Sequence, residues 1–418
     1  MNQDLLTEAR QLDQEDPLKE FRSKFLIPQH GDRDVHYFCG NSLGLQPKAT
    51  REYVCNELDD WARLGVHGHM EKKDGWFAYH ELVTEPMARV VGGLPSETVV
   101  MNTLTANLHF MMVSFYRPEG KRCKILIEKG AFPSDTYAVQ SQIKFHGFNP
   151  EADLIQLEAR AGESFLRTED ILEVIERQGE EIALVMMGGV QYLTGQAFDM
   201  ESITKAAHQK GCVVGFDLAH GAGNIQLKLH DWGVDFAVWC TYKYLNSGPG
   251  SIAGAFVHER HHNTDLPRFH GWWGHDKVKR FEMSPHFSPI QGAEAWQLSN
   301  PPILPLAALR ASLAIFDEAT MDGLRQKSLK LSGYLEELLR AQPLSYINIL
   351  TPQDPSQRGC QLSLQVTSKA QELVESLTEQ GVVCDFRRPD VIRVAPVPLY
   401  NSFEDIAKFV AILRSHTH

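Results

Sequence analysis

The sequence predicts an α/β protein in which a mainly parallel central sheet with flanking helices is joined to a smaller α+β domain. Three observations carry this expectation. Short apolar runs alternate with helical patterns through the middle of the chain, as strand–helix–strand units require. A proline cluster, Pro301-Pro302 with Pro305, then breaks the alternation. The 418 residues, at about 150 per domain, are enough for two to three core-sized units without disulfide or metal staples.

The strand candidates are Lys124 to Glu128 (KILIE), Ile182 to Met187 (IALVMM), Val213 to Asp217 (VVGFD), Phe236 to Trp239 and Ile252 to Val257 (IAGAFV). Helices fall between them. After the candidate N-cap Thr168, residues Ile171, Leu172, Val174 and Ile175 share one face and Gly179 supplies a stop; Asp199 to Lys210 ends likewise at Gly211. Thr103 is a candidate cap for another helix, whose Leu104, Leu108, Met111, Met112 and Phe115 recur at helical spacing and read as core. Beyond the prolines, taken as the domain hinge, a long helical pattern runs from Leu306 through Leu339. An alternating stretch from Gln361 to Val366, a helix from Lys369 to Gln380, a short strand from Val391 to Val394 and an amphipathic helix from Ser402 to Arg414 follow. The expected division is a large domain, 61–300, and a small one made of 1–60 with 301–418.

Charge and composition narrow the function. Fifty-three acids against 41 bases give a net charge of −12, a field that repels a polyphosphate backbone and argues against nucleic acid as a partner. No run approaches the roughly 18 apolar residues of a membrane span. The start, MNQDLLTEARQLDQEDP, is polar and acidic where a signal peptide is basic and then apolar, so a cytoplasmic protein with no membrane partner is expected. The seven cysteines, Cys39, Cys55, Cys123, Cys212, Cys240, Cys360 and Cys384, include no C-x-x-C or C-x-x-H pair and are expected to be reduced thiols. No metal set is expected.

The densest chemistry lies between Val213 and Gly254. Asp217 ends an apolar strand, and Lys243, flanked by Tyr242 and Tyr244, is the one lysine between Val234 and His258. In a parallel sheet, ligands gather outside the carboxyl ends of strands, so both side chains can reach one crevice. A carboxylate there keeps a pyridinium nitrogen protonated, and a desolvated lysine amine condenses with an aldehyde, which is the chemistry of pyridoxal phosphate. Singly, the aspartate reads as a helix cap and the lysine as a surface residue; the pair, followed by a Ser-Gly-Pro-Gly loop, favours the site. Upstream, Thr103-Leu104-Thr105 opens a helix whose free N–H groups and hydroxyls suit a phosphate, with simple capping as the alternative. Phe132-Pro133-Ser134-Asp135 places an aromatic face and two polar groups on another strand-to-loop corner.

Ten segments, GNSLGLQP (Gly40 to Pro47), GHMEKKDGW (Gly68 to Trp76), LTANLH, FPSD, QYLTGQ, GFDLAH, HDWGVDFAVWCTYKYLN, GWWGH, SNPPI and RVAPVPLYNSF, occur in an order that resembles the kynureninase family. These are fold-type I pyridoxal-phosphate enzymes of the class V aminotransferase group. The resemblance runs from near Val35 to the C-terminus. It implies the fold-type I architecture, pyridoxal 5'-phosphate as cofactor, and hydrolytic Cβ–Cγ cleavage of L-kynurenine or 3-hydroxy-L-kynurenine to anthranilate or 3-hydroxyanthranilate plus L-alanine. Carried over by position, it makes Lys243 the cofactor-binding lysine and Cα base, Asp217 the partner of the pyridine nitrogen, Phe132 the ring-stacking residue and Tyr242 a proton donor. It puts Leu104, Thr105, Pro133, Ser134, Asp135, His220, Tyr242, Trp272 and Asn300 around the cofactor, Trp272 and Asn300 from the second subunit of a homodimer with shared sites. Arg393 is expected to clamp the substrate α-carboxylate, as a guanidinium can do bidentately, and His69 and Asn300 to lie near the aromatic ring. One departure is Gly188, where the family often carries Ser or Thr. The rivals are a cysteine desulfurase, which needs a mobile nucleophilic cysteine near the site, and a non-catalytic cofactor binder, which needs none of Lys243, Asp217 and Arg393.

Overall fold

The computed structural model describes residues 3–416. Seven strands form the central sheet, running from one edge as Thr98–Val100, Gly254–Val257, Phe236–Trp239, Val213–Asp217, Ile182–Gly188, Lys124–Glu128 and Leu154–Leu157. The four pairings from Phe236–Trp239 to Leu154–Leu157 are parallel, whereas Gly254–Val257 runs antiparallel to both of its neighbours. Successive side chains of a strand point to opposite faces, and the packing follows this rule. Leu126, Val185, Val214, Phe216, Ala237 and Trp239 enter one core with helices Glu81–Val91, Thr168–Gln178 and Met200–Gln209. Ile125, Ile127, Leu184, Met186, Phe236 and Val238 enter the other with helices Leu104–Phe115 and Pro133–Phe145. Covering both faces with helices is what makes these strands continuous apolar runs.

Sequence and structure part at the ends of elements. The run from Ile252 begins as a strand only at Gly254, and the strands Thr98–Val100 and Leu154–Leu157 were not expected. Thr103 occupies the N-cap position with extended backbone, but its side chain caps nothing, so the first N–H groups of that helix stay available. Thr168 is the first helical residue and Arg167 the cap, while Asp199 does cap its helix by accepting from the Ser202 N–H at 3.0 Å. The long pattern from Leu306 through Leu339 is two helices, Ile303–Ala319 and Met321–Ala341. Thr320 separates them at φ +58, with its hydroxyl accepting the Gly323 N–H at 3.2 Å.

The chain changes core beyond this break, after Leu324. Leu306, Leu309, Leu313 and Phe316 pack with the central sheet's cluster, while Leu331, Leu335 and Leu339 join a second cluster built on an antiparallel sheet of Ile347–Ile349, Leu362–Val366, Val391–Val394 and Asp385–Arg387. Helices Ala370–Glu379 and Phe403–Ser415 close that cluster. Residues 3–60 are shared between the two. Leu5, Leu6, Ala9 and Phe38 belong to the second core, but Phe21, Phe25 and Leu45 belong to the first. The packing therefore moves from one core to the other within Met321–Ala341, between Leu324 and Leu331. Pro302 instead serves as the extended cap of Ile303–Ala319, a position that tolerates a residue with no N–H to give.

Two glycines test the packing with opposite signs. A Cβ on Gly215, in the central strand, would lie 2.1 Å from the Phe236 ring, so Gly215→Ala is expected to destabilise the fold by about 1–3 kcal/mol. Gly333, in helix Met321–Ala341, has nothing within 4 Å of that point, and Gly333→Ala is expected to stabilise by about 0.5–1 kcal/mol. Urea midpoints at unchanged m value measure both.

Candidate active site

Three strands end together in acidic or small residues: Lys124–Glu128 at Glu128, Ile182–Gly188 at Gly188 and Val213–Asp217 at Asp217. Parallel pairing sets Asp217 opposite Gly188 on one side and Val238 on the other. Their carboxyl ends open into a crevice lined by Leu104, Thr105, Phe132, Ser134, Asp135, Asp217, His220, Tyr242 and Lys243, nine of the residues singled out from sequence. Pro133 stands beside it as the first residue of helix Pro133–Phe145. Glu128, Val190, Tyr192 and Ala219 also line it and were missed. Glu128 ends a strand in a carboxylate just as Asp217 does, a signal present in KILIE, and Tyr192 lies in the QYLTGQ segment.

Lys243 sits on the loop after Phe236–Trp239. The loop is closed by the Asn246 N–H on the Lys243 carbonyl at 3.0 Å and the Ser247 N–H on that of Thr241 at 3.2 Å. Gly44 braces it from outside, donating its N–H to the Tyr242 carbonyl at 2.9 Å. A Cβ on Gly44 would lie 2.3 Å from the Lys243 carbonyl, so the approach requires glycine. The Lys243 Nζ lies 3.2 Å from His220 Nε2 and 5.9 Å from the centre of the Phe132 ring. Phe132 is 43% exposed at the crevice mouth, edge-on to Tyr192, and so offers a face rather than filling a core.

The electrostatics follow from burial. Asp217 accepts the Ala219 N–H at 2.7 Å; burial raises its pKa, opposed by that bond, by Lys243 and by Asp135. Asp135 is raised well above the ordinary carboxylate range, first by burial and then by Asp217. Two carboxyls in one buried place cannot both ionise, and the donors around Asp217 leave it the charge and Asp135 the proton. Glu128 is pushed up to about 7 by burial, against the Gly188 N–H, which it accepts at 3.3 and 3.4 Å. A Cβ on Gly188 would stand 3.1 Å from the Glu128 carboxyl; that carboxyl occupies the space a Ser or Thr side chain would enter. His220 is held well below 6.5, by burial first and then by Lys243, Arg393 and Arg387. It is neutral, and its Nε2 accepts from the lysine ammonium. Burial raises the Tyr242 phenol well above its usual value, keeping its proton in place.

The crevice suits a phosphorylated aromatic aldehyde. Helices Leu104–Phe115 and Pro133–Phe145 both begin here without a side-chain cap, and Thr105 Oγ1 and Ser134 Oγ meet at 2.9 Å between the two ends. Uncapped N–H groups and hydroxyls form an anion cradle. Asp135 Oδ1 and His220 Nδ1 are buried with no hydrogen-bond partner among the described residues, as groups awaiting a polar guest are.

His69, Trp272, Asn300 and Arg393 do not line this crevice. His69 stacks on Phe77 at 4.8 Å, Phe77 contacts Phe281 at 5.3 Å, and Phe281 contacts Trp272 at 5.6 Å. The segment leading to Asn300 crosses the same region, where the Trp273 N–H donates to the Leu298 carbonyl at 3.1 Å. Trp272 is 39% and Phe281 49% exposed, and Asn300 is exposed. Arg393 is buried behind Tyr192, donating Nη1 to the Tyr192 carbonyl at 2.7 Å and pairing with Asp385. Two groupings with metal-ligand atoms, Glu97 with His230 and His258, and His80 with Glu81 and Glu294, have carboxylates already engaged. Glu97 accepts the Leu94 and Glu259 N–H groups, and Glu294 pairs with Lys277.

Residues 324–413 match the sequence profile of the kynureninase C-terminal domain. A kynureninase of Myxococcus xanthus is 61% identical over 98% of this chain and 96% of its own. The chain belongs to the kynureninase family. A kynureninase of Koribacter versatilis is 58% identical over 96% of this chain and 95% of its own. Among solved structures, a C-DES variant with glycine covalently linked to its PLP cofactor superimposes with a TM-score of 0.80, covering 95% of this chain and 99% of that one at 17% identity. The fold is thus the fold-type I architecture that the resemblance implied. Kynureninase membership also disposes of the desulfurase rival, and the thiols agree: burial pushes Cys360 and Cys384 each up to about 12, far from a reactive thiolate.

The neutral state of His220 is measurable. With imidazole 15N labels, its shifts should stay flat from about pH 8 to about pH 6, where an ordinary histidine titrates. Because the unfolded chain takes up a proton near 6.5 that the folded site refuses, this residue favours the fold above that pH and withdraws its support as the pH falls through it.

Proposed function

We propose that the crevice around Lys243 is the site at which this member of the kynureninase family works. The enzyme hydrolyses the Cβ–Cγ bond of L-kynurenine or 3-hydroxy-L-kynurenine, giving anthranilate or 3-hydroxyanthranilate and L-alanine, with pyridoxal 5'-phosphate as cofactor. The observation that carries the placement is the Lys243 amine set between neutral His220 and the ring of Phe132, in a crevice floored by Asp217. When bound, the cofactor supplies an electron sink for the charge that develops on the substrate as its bonds break.

The chain's residues divide the remaining work. Leu104, Thr105, Pro133 and Ser134 hold the phosphate at the two helix starts. Phe132 would stack on an aromatic cofactor ring, and Asp217, kept ionised because Asp135 takes the shared proton, would hold a protonated ring nitrogen. Lys243 would hold the cofactor through its amine and, when free, its Nζ would take the substrate Cα proton; neutral His220 accepts a hydrogen bond from that nitrogen without competing for the charge. Tyr242, its proton retained by burial, donates it when the aromatic acid has left. Arg393 holds the substrate α-carboxylate.

His69, Trp272 and Asn300 act in a neighbouring subunit's crevice. They gather on an exposed aromatic surface of their own chain, where Val278 and Met283 are also exposed, and an apolar surface of that kind is a docking face. The homodimer pairs each Lys243 crevice with the partner's aromatic cluster, with His69 and Asn300 toward the substrate ring. No helix among the described residues is long and apolar enough to cross a membrane, which suits the proposed cytoplasmic role in tryptophan catabolism and pyridine-nucleotide synthesis.

Lys243→Ala is expected to lower alanine release from L-kynurenine by more than about a thousandfold while the circular dichroism spectrum is kept. Arg393→Ala should raise KM for L-kynurenine and leave cofactor affinity unchanged. Full turnover by Lys243→Ala without added amine would remove the assignment.

A mixed dimer tests the sharing of sites. Lys243→Ala chains refolded with Trp272→Ala, Asn300→Asp chains should regain about one quarter of wild-type activity, since half the dimers are mixed and each carries one intact site. Activity no higher than that of the two parents would show that each site belongs to one chain.

A further inference from the structure

Asp385 and Arg393 face each other across the antiparallel pair of Asp385–Arg387 with Val391–Val394. Asp385 Oδ2 accepts from Arg393 Nε at 2.5 Å and Nη2, and from Arg387 Nε at 2.8 Å. Arg393 Nη1 donates to the carbonyl of Tyr192, a residue of the crevice wall, and both guanidiniums lie within 6.0 Å of the Tyr192 ring centre. A guanidinium has five N–H groups. Here the Nε side is held by Asp385 and one Nη1 proton by Tyr192, so one N–H on each terminal nitrogen remains. The charges are equally telling. Arg387 and Arg393 against Asp385 leave one positive charge, the complement of one carboxylate. Arg393 is 1% exposed, so without Asp385 its charge would be buried beside that of Arg387 with only a backbone carbonyl to hold it.

We propose that Asp385 is a positioning residue for substrate recognition: it grips Arg393 from the Nε side and presents the Nη1/Nη2 end to the α-carboxylate of the incoming amino acid. This rests on the assignment of Arg393 as the carboxylate clamp. Asp385 does not touch the substrate, and its contribution is confined to ligands that carry the carboxylate.

The holoenzyme is assayed with L-kynurenine, with L-alanine as inhibitor, and with kynuramine, which keeps the amine and aromatic ketone but lacks the carboxylate. Asp385→Ala is expected to raise KM for L-kynurenine and the inhibition constant of L-alanine about tenfold or more, with kcat within about threefold of wild type. The kynuramine dissociation constant, read from the cofactor's absorption, should not move. Asp385→Asn, which keeps an acceptor oxygen and the side chain's shape, should recover part of the loss and serves if the alanine variant does not fold. Unchanged or tighter binding of L-kynurenine in both variants would overturn the proposal, because Asp385 would then be a spectator or a competitor for Arg393. Equal weakening of kynuramine would overturn it too, as the mark of a scaffold residue. Arg393→Ala separates the two levels: if it leaves L-kynurenine and L-alanine binding intact, the clamp itself is misassigned, whereas a large loss there with none at Asp385 rejects the positioning role alone.

Discussion

Asp217 is closed off from water, and two further carboxyls, Asp135 and Glu128, are buried in the same crevice wall. Desolvation and mutual repulsion work against all three, so the surroundings must favour charge on one of them. They do so through the Ala219 N–H, which Asp217 accepts, and through the positive charge of Lys243. Holding that lysine over the carboxylates requires its loop, and the loop requires the glycine at position 44. A charged histidine beside Nζ would cancel the arrangement, and the burial that keeps His220 neutral prevents this.

The strands that frame the crevice were legible because burial on both faces writes continuous apolar runs. Thr98–Val100 and Leu154–Leu157 were not, since three or four residues show no period. The turn at Thr320 was hidden for another reason. A β-branched residue at φ +58 runs against local preference, and its own hydroxyl stabilises it there by accepting the Gly323 N–H. In the site, residues at strand ends could be named from position, and Asp217 and Lys243 stand where that logic put them. Glu128 obeyed the same logic and was passed over because it looked like the polar end of a strand. Asp385 had no such signal, because its meaning depends on which arginine faces it across the pair.

Shape alone would have led elsewhere. A fold shared with under a fifth of the residues identical does not choose a reaction. The choice lies in side chains. Burial pushes the thiols of Cys360 and Cys384 far above the range of a reactive thiolate. The second constellation, around His69 and Trp272, is aromatic and open where the Lys243 crevice is polar and closed.

The run from Phe38 to Gly44 touches both ends of the chemistry. Phe38 accepts the Ala395 N–H at 3.0 Å, two residues beyond Arg393, and donates to the Val383 carbonyl at 2.7 Å, two residues before Asp385. Asn41 donates to the Gln361 side chain at 2.8 Å, Gly40 lies against the Tyr400 ring, where a Cβ would have no room, and Gly44 is fastened to the lysine loop. This short length of chain is a strut between the sheet that bears the guanidinium and the loop that bears the amine. Seven consecutive residues thereby tie the backbone of the strand that bears Arg393 to that of the loop that bears Lys243, so neither can shift alone.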